Sequence, residues 1–202
     1  MFDVVFVTNR KLCKENFFAR LEKLAKASPS AIILREKDLQ EDEYENLATC
    51  AFEACAKHNT FCILHGFSEI AIKLGAPALH LPLDKLRALP EAERRRFKVL
   101  GASCHSVEDA LEAERLGCTY ITAGHIFETD CKKGVPARGI DFLREVCRAV
   151  SLPVYAIGGV CAENIRDVMN VGARGACVMS GAMLCDDPSG YRTKLKGALY
   201  EI

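Results

Sequence analysis

Apolar residues fall in short, nearly unbroken runs along the whole chain, and an amphipathic stretch follows each one. The runs cover residues 4–9 (VVFVTN), 31–36 (AIILRE), 61–66 (FCILHG) and 78–82 (ALHLP). They continue at 98–104 (KVLGASC), 120–126 (YITAGHI), 154–159 (VYAIGG) and 175–181 (GACVMSG). Runs without strict alternation predict strands that are covered on both faces. The stretches between them predict helices. Over 41–58, Leu47, Ala51, Ala54 and Cys55 share one stripe. The segment 106–117 offers Ser106 as an N-cap with Asp109 three positions on, and stops at Gly117. Segments 139–150 and 162–172 repeat that design, the second ending at Gly172.

An alternating series of eight such units fits either an open doubly wound sheet or a closed barrel. Regular units without a chain reversal favour the closed form. The expectation is an α/β protein, a single (β/α)8 TIM barrel, with one domain over residues 1–202. That length is short for the fold. No Pro/Gly/Ser-rich linker or low-complexity tract interrupts the pattern, and EAERRRFK (91–98) reads as a solvated helix face.

Composition narrows the function. Lys plus Arg and Asp plus Glu number 27 each, so the basic excess of a general nucleic-acid binder is missing. No apolar run reaches the ~18 residues of a membrane span. The segment MFDVVFVTNRK lacks a basic leader and a small-residue cleavage site, so a cytoplasmic location is expected. The eleven cysteines form no C-x-x-C pair, and most sit inside apolar runs. They read as reduced, buried thiols, with Cys104 and Cys131 set apart because they fall among candidate site residues.

In such a barrel the chemistry belongs at the C-terminal ends of the strands. Polar, ionisable and glycine residues concentrate there. Gly158-Gly159 and Ser180-Gly181 close the last two strands, where backbone N–H groups commonly hold phosphate. Arg35 and Lys37 flank Glu36 and share a face, which suits either an anionic substrate group or a rim salt bridge. After the sixth strand comes the loop Gly124–Gly134, in which Thr129, Lys132 and Lys133 offer donors to an anion. His125 enters that loop at the strand end. Its imidazole either relays a proton or only hydrogen-bonds the loop. His65 and His80 end neighbouring strands, as ligand contacts or as neutral residues of the barrel wall. Cys104 and His105, adjacent along a strand, point to opposite faces and do not pair. His58, at a helix end, is set aside.

Taken together, ILREK, GASCHSVEDALEAERLGCTYITAGHIFETDCKKG, VYAIGGVCAENI and GARGACVMSGA resemble the thiamine phosphate synthase superfamily over almost the whole chain. In the synthase branch a pyrimidine methyl diphosphate is joined to a thiazole phosphate with magnesium held by two aspartates. Here the usual Asn-Asp at the end of the third strand reads His65-Gly66, and the later acidic pair reads Asp84-Lys85. The synthase Gly-Pro-Ile-Phe/Tyr becomes Gly124-His125-Ile126-Phe127, and a loop threonine becomes Cys131. Magnesium prefers oxygen ligands and is poorly served by that set.

These departures resemble the thiazole tautomerase branch. The resemblance implies an aromatising isomerisation of a 2-carboxythiazole phosphate tautomer, needing no metal or organic cofactor. It implies His125 as proton carrier, Arg35, Lys37, Ser103, Thr129 and Lys132 as substrate contacts, and Gly158, Gly159, Ser180 and Gly181 around the phosphate. The expected partner is a phosphorylated thiazole, with neither nucleic acid nor membrane, and self-association into a homo-oligomer is left open. Two rivals stand: a catalytically silent regulator or carrier of thiazole or thiamin phosphates, and a synthase with an altered metal site.

Overall fold

A computed structural model of the protein describes residues 3–129 and 134–199. Its strands are β1 (Asp3–Val7), β2 (Ala31–Leu34), β3 (Cys62–His65), β4 (Ala78–Pro82), β5 (Val99–Cys104), β6 (Tyr120–Gly124), β7 (Val154–Ile157) and β8 (Gly175–Val178). They pair in parallel in chain order, and β8 closes on β1 with Asp3 opposite Gly175 and Phe6 opposite Val178. This is the (β/α)8 barrel that the alternation implied.

The helices are α1 (Phe17–Lys26), α2 (Glu41–Lys57), α3 (Ser68–Lys73), α4 (Leu83–Ala88), α5 (Glu91–Arg94), α6 (Val107–Arg115), α7 (Gly139–Ala149), α8 (Ile165–Asn170), α9 (Ser180–Leu184) and α10 (Pro188–Gly197). Their starts carry the caps that the sequence offers. Ser106 Oγ accepts from the Asp109 N–H at 3.0 Å. The Asp109 carboxylate, however, accepts from the His105 N–H at 2.8 Å, one residue before the N-cap, so the pair is not a reciprocal box. The expected solvated helix at 91–98 is only one turn long. Arg94 folds back onto the Leu89 carbonyl at 2.9 Å, and Phe97 is buried.

Alternate strand residues enter two separate cores, which is why the runs are continuously apolar. Val4 and Phe6 face outward and pack among Leu21, Leu24 and their neighbours under the helices. Val5 and Val7 face the lumen with Ala31, Ile33, Ile63 and Tyr120. Two tyrosines fill the lumen, Tyr120 edge-on to Tyr155 at 5.6 Å between ring centres. Gly101 makes room for the first, since a Cβ there would overlap the Tyr120 ring. At the N-terminal end Tyr155 donates to the Asp3 carboxylate at 3.0 Å.

The ladders stop earlier than the apolar runs at several C-terminal ends. Asn9, Glu36, Ile126 and Gly159 lie beyond the last paired residues. The ten described cysteines are all free thiols. No helix among the described residues is long and apolar enough to cross a membrane.

Candidate active site

A cavity of about 390 Å³ opens at the C-terminal mouth of the barrel. Arg35, Lys37, Ser103, His125, Thr129, Gly158, Gly159, Ser180 and Gly181 all line it. Lys132, Lys133 and Cys131 lie outside the described residues. A larger hollow of about 720 Å³ sits among α2 to α5, outside the barrel. Its charges are of both signs, Glu41, Glu69 and Glu93 against Lys73, Lys85 and Arg96, and it draws on few strand ends. The mouth cavity is where strand ends, basic groups and imidazoles converge.

The β1 and β2 ends form the basic wall. Glu36 is buried and turned away from the cavity, accepting from Thr8 Oγ1 at 2.7 Å and from the Arg10 N–H at 3.0 Å. Arg10 in turn grips Asp38 through two bonds of 2.7 and 2.9 Å. A buried carboxylate is tolerable only when its charge is met in this way. Thr8 Oγ1 also accepts from the Arg35 N–H at 3.0 Å, so the network fixes the backbone that presents Arg35 and Lys37. Among the described residues neither of these two cations makes an ion pair, and the rim salt bridge is not the arrangement found.

His125 is held on both sides. The Ile126 and Phe127 N–H groups donate to Ile157 O and Gly158 O, each at 3.0 Å, extending the β6–β7 pairing past the ladder. On the other side Arg138 N–H donates to His125 O, and Gly139 N–H to Ile126 O, each at 3.0 Å. The His125 ring is buried, with Nε2 at 3.1 Å from the Val135 carbonyl. A carbonyl only accepts, so the neutral ring carries its proton on Nε2. Nδ1 is then a bare acceptor, buried and without a partner among the described residues.

Gly158 and Gly159 sit at φ +96° and +67°, where a side chain is strained. A Cβ on Gly158 would also overlap the His125 Cβ, and one on Gly159 would meet Glu128 O and Phe127. Their identity is therefore accounted for by the close approach of the 125–128 loop. What remains for an anion is N–H groups: those that open α9 have no acceptor within the helix.

Three further histidines and two hydroxyls belong to the same region. His105 lines the cavity with Nδ1 at 2.7 Å from Gly124 O, which leaves Nε2 bare. Cys104 points the other way, is buried, and has its thiol pushed up to about 12 by burial. His65 borders the cavity, and its backbone N–H donates to Tyr44 OH at 2.9 Å. Burial first, then the Arg35 charge, push the His65 imidazole down to about 3, so it is neutral at pH 7. His80 is buried below the cavity, with Nδ1 at 2.8 Å from Tyr120 OH and Nε2 at 2.9 Å from Ser103 Oγ. Thr122 also lines the cavity, its Oγ1 at 3.5 Å from Ser103 Oγ.

The sequence reading missed Thr122, Tyr120 and the cavity position of His105. Strand parity would have found the first two, since residues 120 and 122 share a face with Gly124 at the strand end. His105 stands at a strand end beside Cys104, and nothing in the sequence shows which way its ring turns.

The magnesium centre implied by the synthase branch can be tested against these residues. At its first carboxylate position stands Gly66, which has no side chain, preceded by the neutral His65 in place of the asparagine. At its second, Lys85 donates to the Gly66 carbonyl at 2.7 Å and rests over the Phe67 ring. An ammonium group stands where a carboxylate would be needed, and Asp84 lines a small hollow with Arg87 and Asp109 that adjoins the mouth cavity through Pro82, Ser103 and His105. No cluster of three or more His, Cys, Asp or Glu suited to a metal ion occurs among the described residues. The donor set does not fit that centre.

A family model described as thiamine monophosphate synthase matches residues 4–182. The chain belongs to that family. Among its relatives, thiamine-phosphate synthase 2 of Streptococcus pneumoniae serotype 4 is 33% identical over 186 residues, covering 90% of this chain and 87% of the relative. The thiamine-phosphate synthase of Pyrococcus horikoshii is 30% identical over 196 residues, covering 97% and 94%. The solved thiamine phosphate pyrophosphorylase of Pyrococcus furiosus superposes with a TM-score of 0.84 at 25% identity, over 98% of this chain and 95% of that one. These relatives are named for the synthase reaction. Membership places this chain among enzymes of thiamin biosynthesis that act on small phosphorylated molecules.

Proposed function

We propose that the protein is a thiazole tautomerase, an isomerase that aromatises a 2-carboxythiazole phosphate tautomer by moving one proton. The observation that carries this reading is His125. Its Nε2–H is tied to the Val135 carbonyl, its bare Nδ1 is buried without a partner among the described residues, and the residue lines a cavity with one basic wall. Nδ1 takes the proton from one position of the unaromatised ring and returns it at another. No electrons change hands, no group leaves, and aromaticity supplies the driving force.

The phosphate lies against the N–H groups at Gly158, Gly159, Ser180 and Gly181, where the start of a helix favours an anion. Arg35 and Lys37 face it across the mouth and neutralise the carboxylate. Ser103 and Thr129 contact the ring or carboxylate, and Lys132 adds a donor from the loop. Positioned acid–base catalysis is worth ~10²–10⁴ in rate. His125→Asn therefore lowers turnover by that order in a stopped-flow ultraviolet assay, while the affinity for the thiazole phosphate product holds within a few-fold. A variant as fast as the wild type removes His125 from the chemistry. The names of the relatives favour a second reading, the synthase. Magnesium-dependent coupling of the two thiamin precursors would establish it, against the donor set at His65 and Lys85.

A further inference from the structure

We propose that Tyr120 and His80 fix the direction of the Ser103 hydroxyl, so that Ser103 presents its proton to the cavity and selects a carboxylate there. The three groups form one chain from the lumen to the mouth: Tyr120 OH to His80 Nδ1 at 2.8 Å, then His80 Nε2 to Ser103 Oγ at 2.9 Å. Its direction follows from the buried end. The Tyr120 oxygen has no other hydrogen-bond partner among the described residues. If it accepted a proton from Nδ1, its own O–H would be left buried and unsatisfied, a loss of the order that destabilises cores. Tyr120 therefore donates to Nδ1. Burial keeps the phenol protonated and the imidazole neutral, so the His80 proton is on Nε2 and goes to Ser103.

Ser103 is thereby a forced donor. Its oxygen accepts from His80, and Thr122 Oγ1 lies at 3.5 Å from it. Thr122 Oγ1 donates to it, so the Ser103 proton is left for the cavity that the residue lines. A ligand atom meeting Ser103 must accept. The Arg35 charge is close enough to hold down both His65 and His80, so that acceptor also sits in a cationic field. Ser103 pairs with Pro82 on β4 and Thr122 on β6, so it stands two strands from β7 and three from β8 around the mouth. With phosphate at β7–β8, the group against Ser103 is the second anion, a carboxylate. The direction of the chain stands by itself, whereas naming the carboxylate rests on the tautomerase reading. Tyr120 and His80 are positioning residues, and Ser103 is the contact.

Two measurements test this. In the unliganded wild type, long-range proton–nitrogen correlation spectra of His80 should show the Nε2–H tautomer with a bare Nδ1. Binding of thiazole phosphate with and without the 2-carboxylate should then favour the carboxylated ligand. Tyr120→Phe frees the His80 proton to move to Nδ1 and lets Ser103 turn inward. The preference should then shrink about tenfold, the order of one hydrogen bond to a charged group. Ser103→Ala should lose as much, Ser103→Thr should keep most of it, and affinity for the uncarboxylated ligand should change little. A His80 proton on Nδ1, which can be read even if Tyr120→Phe does not fold, overturns the proposal and leaves the tautomerase reading standing. A full preference retained in Tyr120→Phe but lost in Ser103→Ala also overturns it. An Nε2–H tautomer in a protein that binds neither thiazole overturns the reading that names the ligand, and with it the carboxylate assignment.

Discussion

In the proposed reading His125 and Arg35 divide the work of the mouth, and their surroundings decide which does what. His125 is set by two backbone clamps and one carbonyl, so its free nitrogen is determined before any ligand arrives. Arg35 has its backbone fixed through Thr8 and Glu36 and keeps its guanidinium for the cavity. Arg35→Ala should weaken the carboxylated thiazole phosphate by about tenfold or more in a titration, since a hydrogen bond to a charged group is lost. The same change should raise the His65 pKa, because one of the charges that lower it is gone. Burial is the larger cause, so the value stays below that of a free imidazole. An unchanged affinity would show that Arg35 meets no anion. At this scale the sequence was readable wherever a residue's type matched its place at a strand end, as with Arg35, Lys37, Ser103 and His125. It offered His80 as a neutral wall residue but was silent on Tyr120 and on the contact between them, which joins β4 to β6 across forty residues of sequence.

The elements explain why the loop after β6 can hold a functional group. Gly158 and Gly159 let residues 125–128 lie directly on the β7 end, and two N–H···O bonds continue the pairing there. Gly158→Ala adds a Cβ against His125 at a left-handed φ. It should lower stability by about 1–3 kcal/mol and lower turnover as well, because His125 must move. Equal melting temperatures for variant and wild type would contradict that packing. Tyr44 joins α2 to the barrel by donating to Leu34 O at 2.7 Å and accepting from the His65 N–H at 2.9 Å. The apolar periodicity of 41–58 gave the burying stripe of α2 through Leu47, Ala51 and Cys55. It could not give this polar tie, since a tyrosine hydroxyl leaves no period. The glycine-rich ends were likewise visible, but their reason was not. They were legible as anion loops, and the structure shows a close loop approach that requires them regardless of a ligand.

For the whole molecule, two neutral histidines under the mouth couple folding to pH. The His65 and His80 pKa values are lowered by burial, so the unfolded chain binds protons that the native state does not. Their contribution is complete above the unfolded value near 6.5 and is lost as pH falls toward the native values. Unfolding near pH 5 should take up about two protons or more, read from calorimetry in buffers of different ionisation enthalpy. Uptake below one proton would place a charged histidine in the wall. The barrel itself was the most legible feature, because closure requires only eight apolar runs of the right period and spacing, from residue 4 to residue 181. The reaction is less so, because the family's members are named for a synthase while Gly66 and Lys85 stand where its carboxylates would be. The most direct test follows the ultraviolet absorbance of an unaromatised carboxythiazole phosphate mixed with the wild-type protein, with no metal added. Aromatisation should run much faster than the spontaneous rate and fall by ~10²–10⁴ in His125→Asn. A rate equal to the spontaneous one would contradict it.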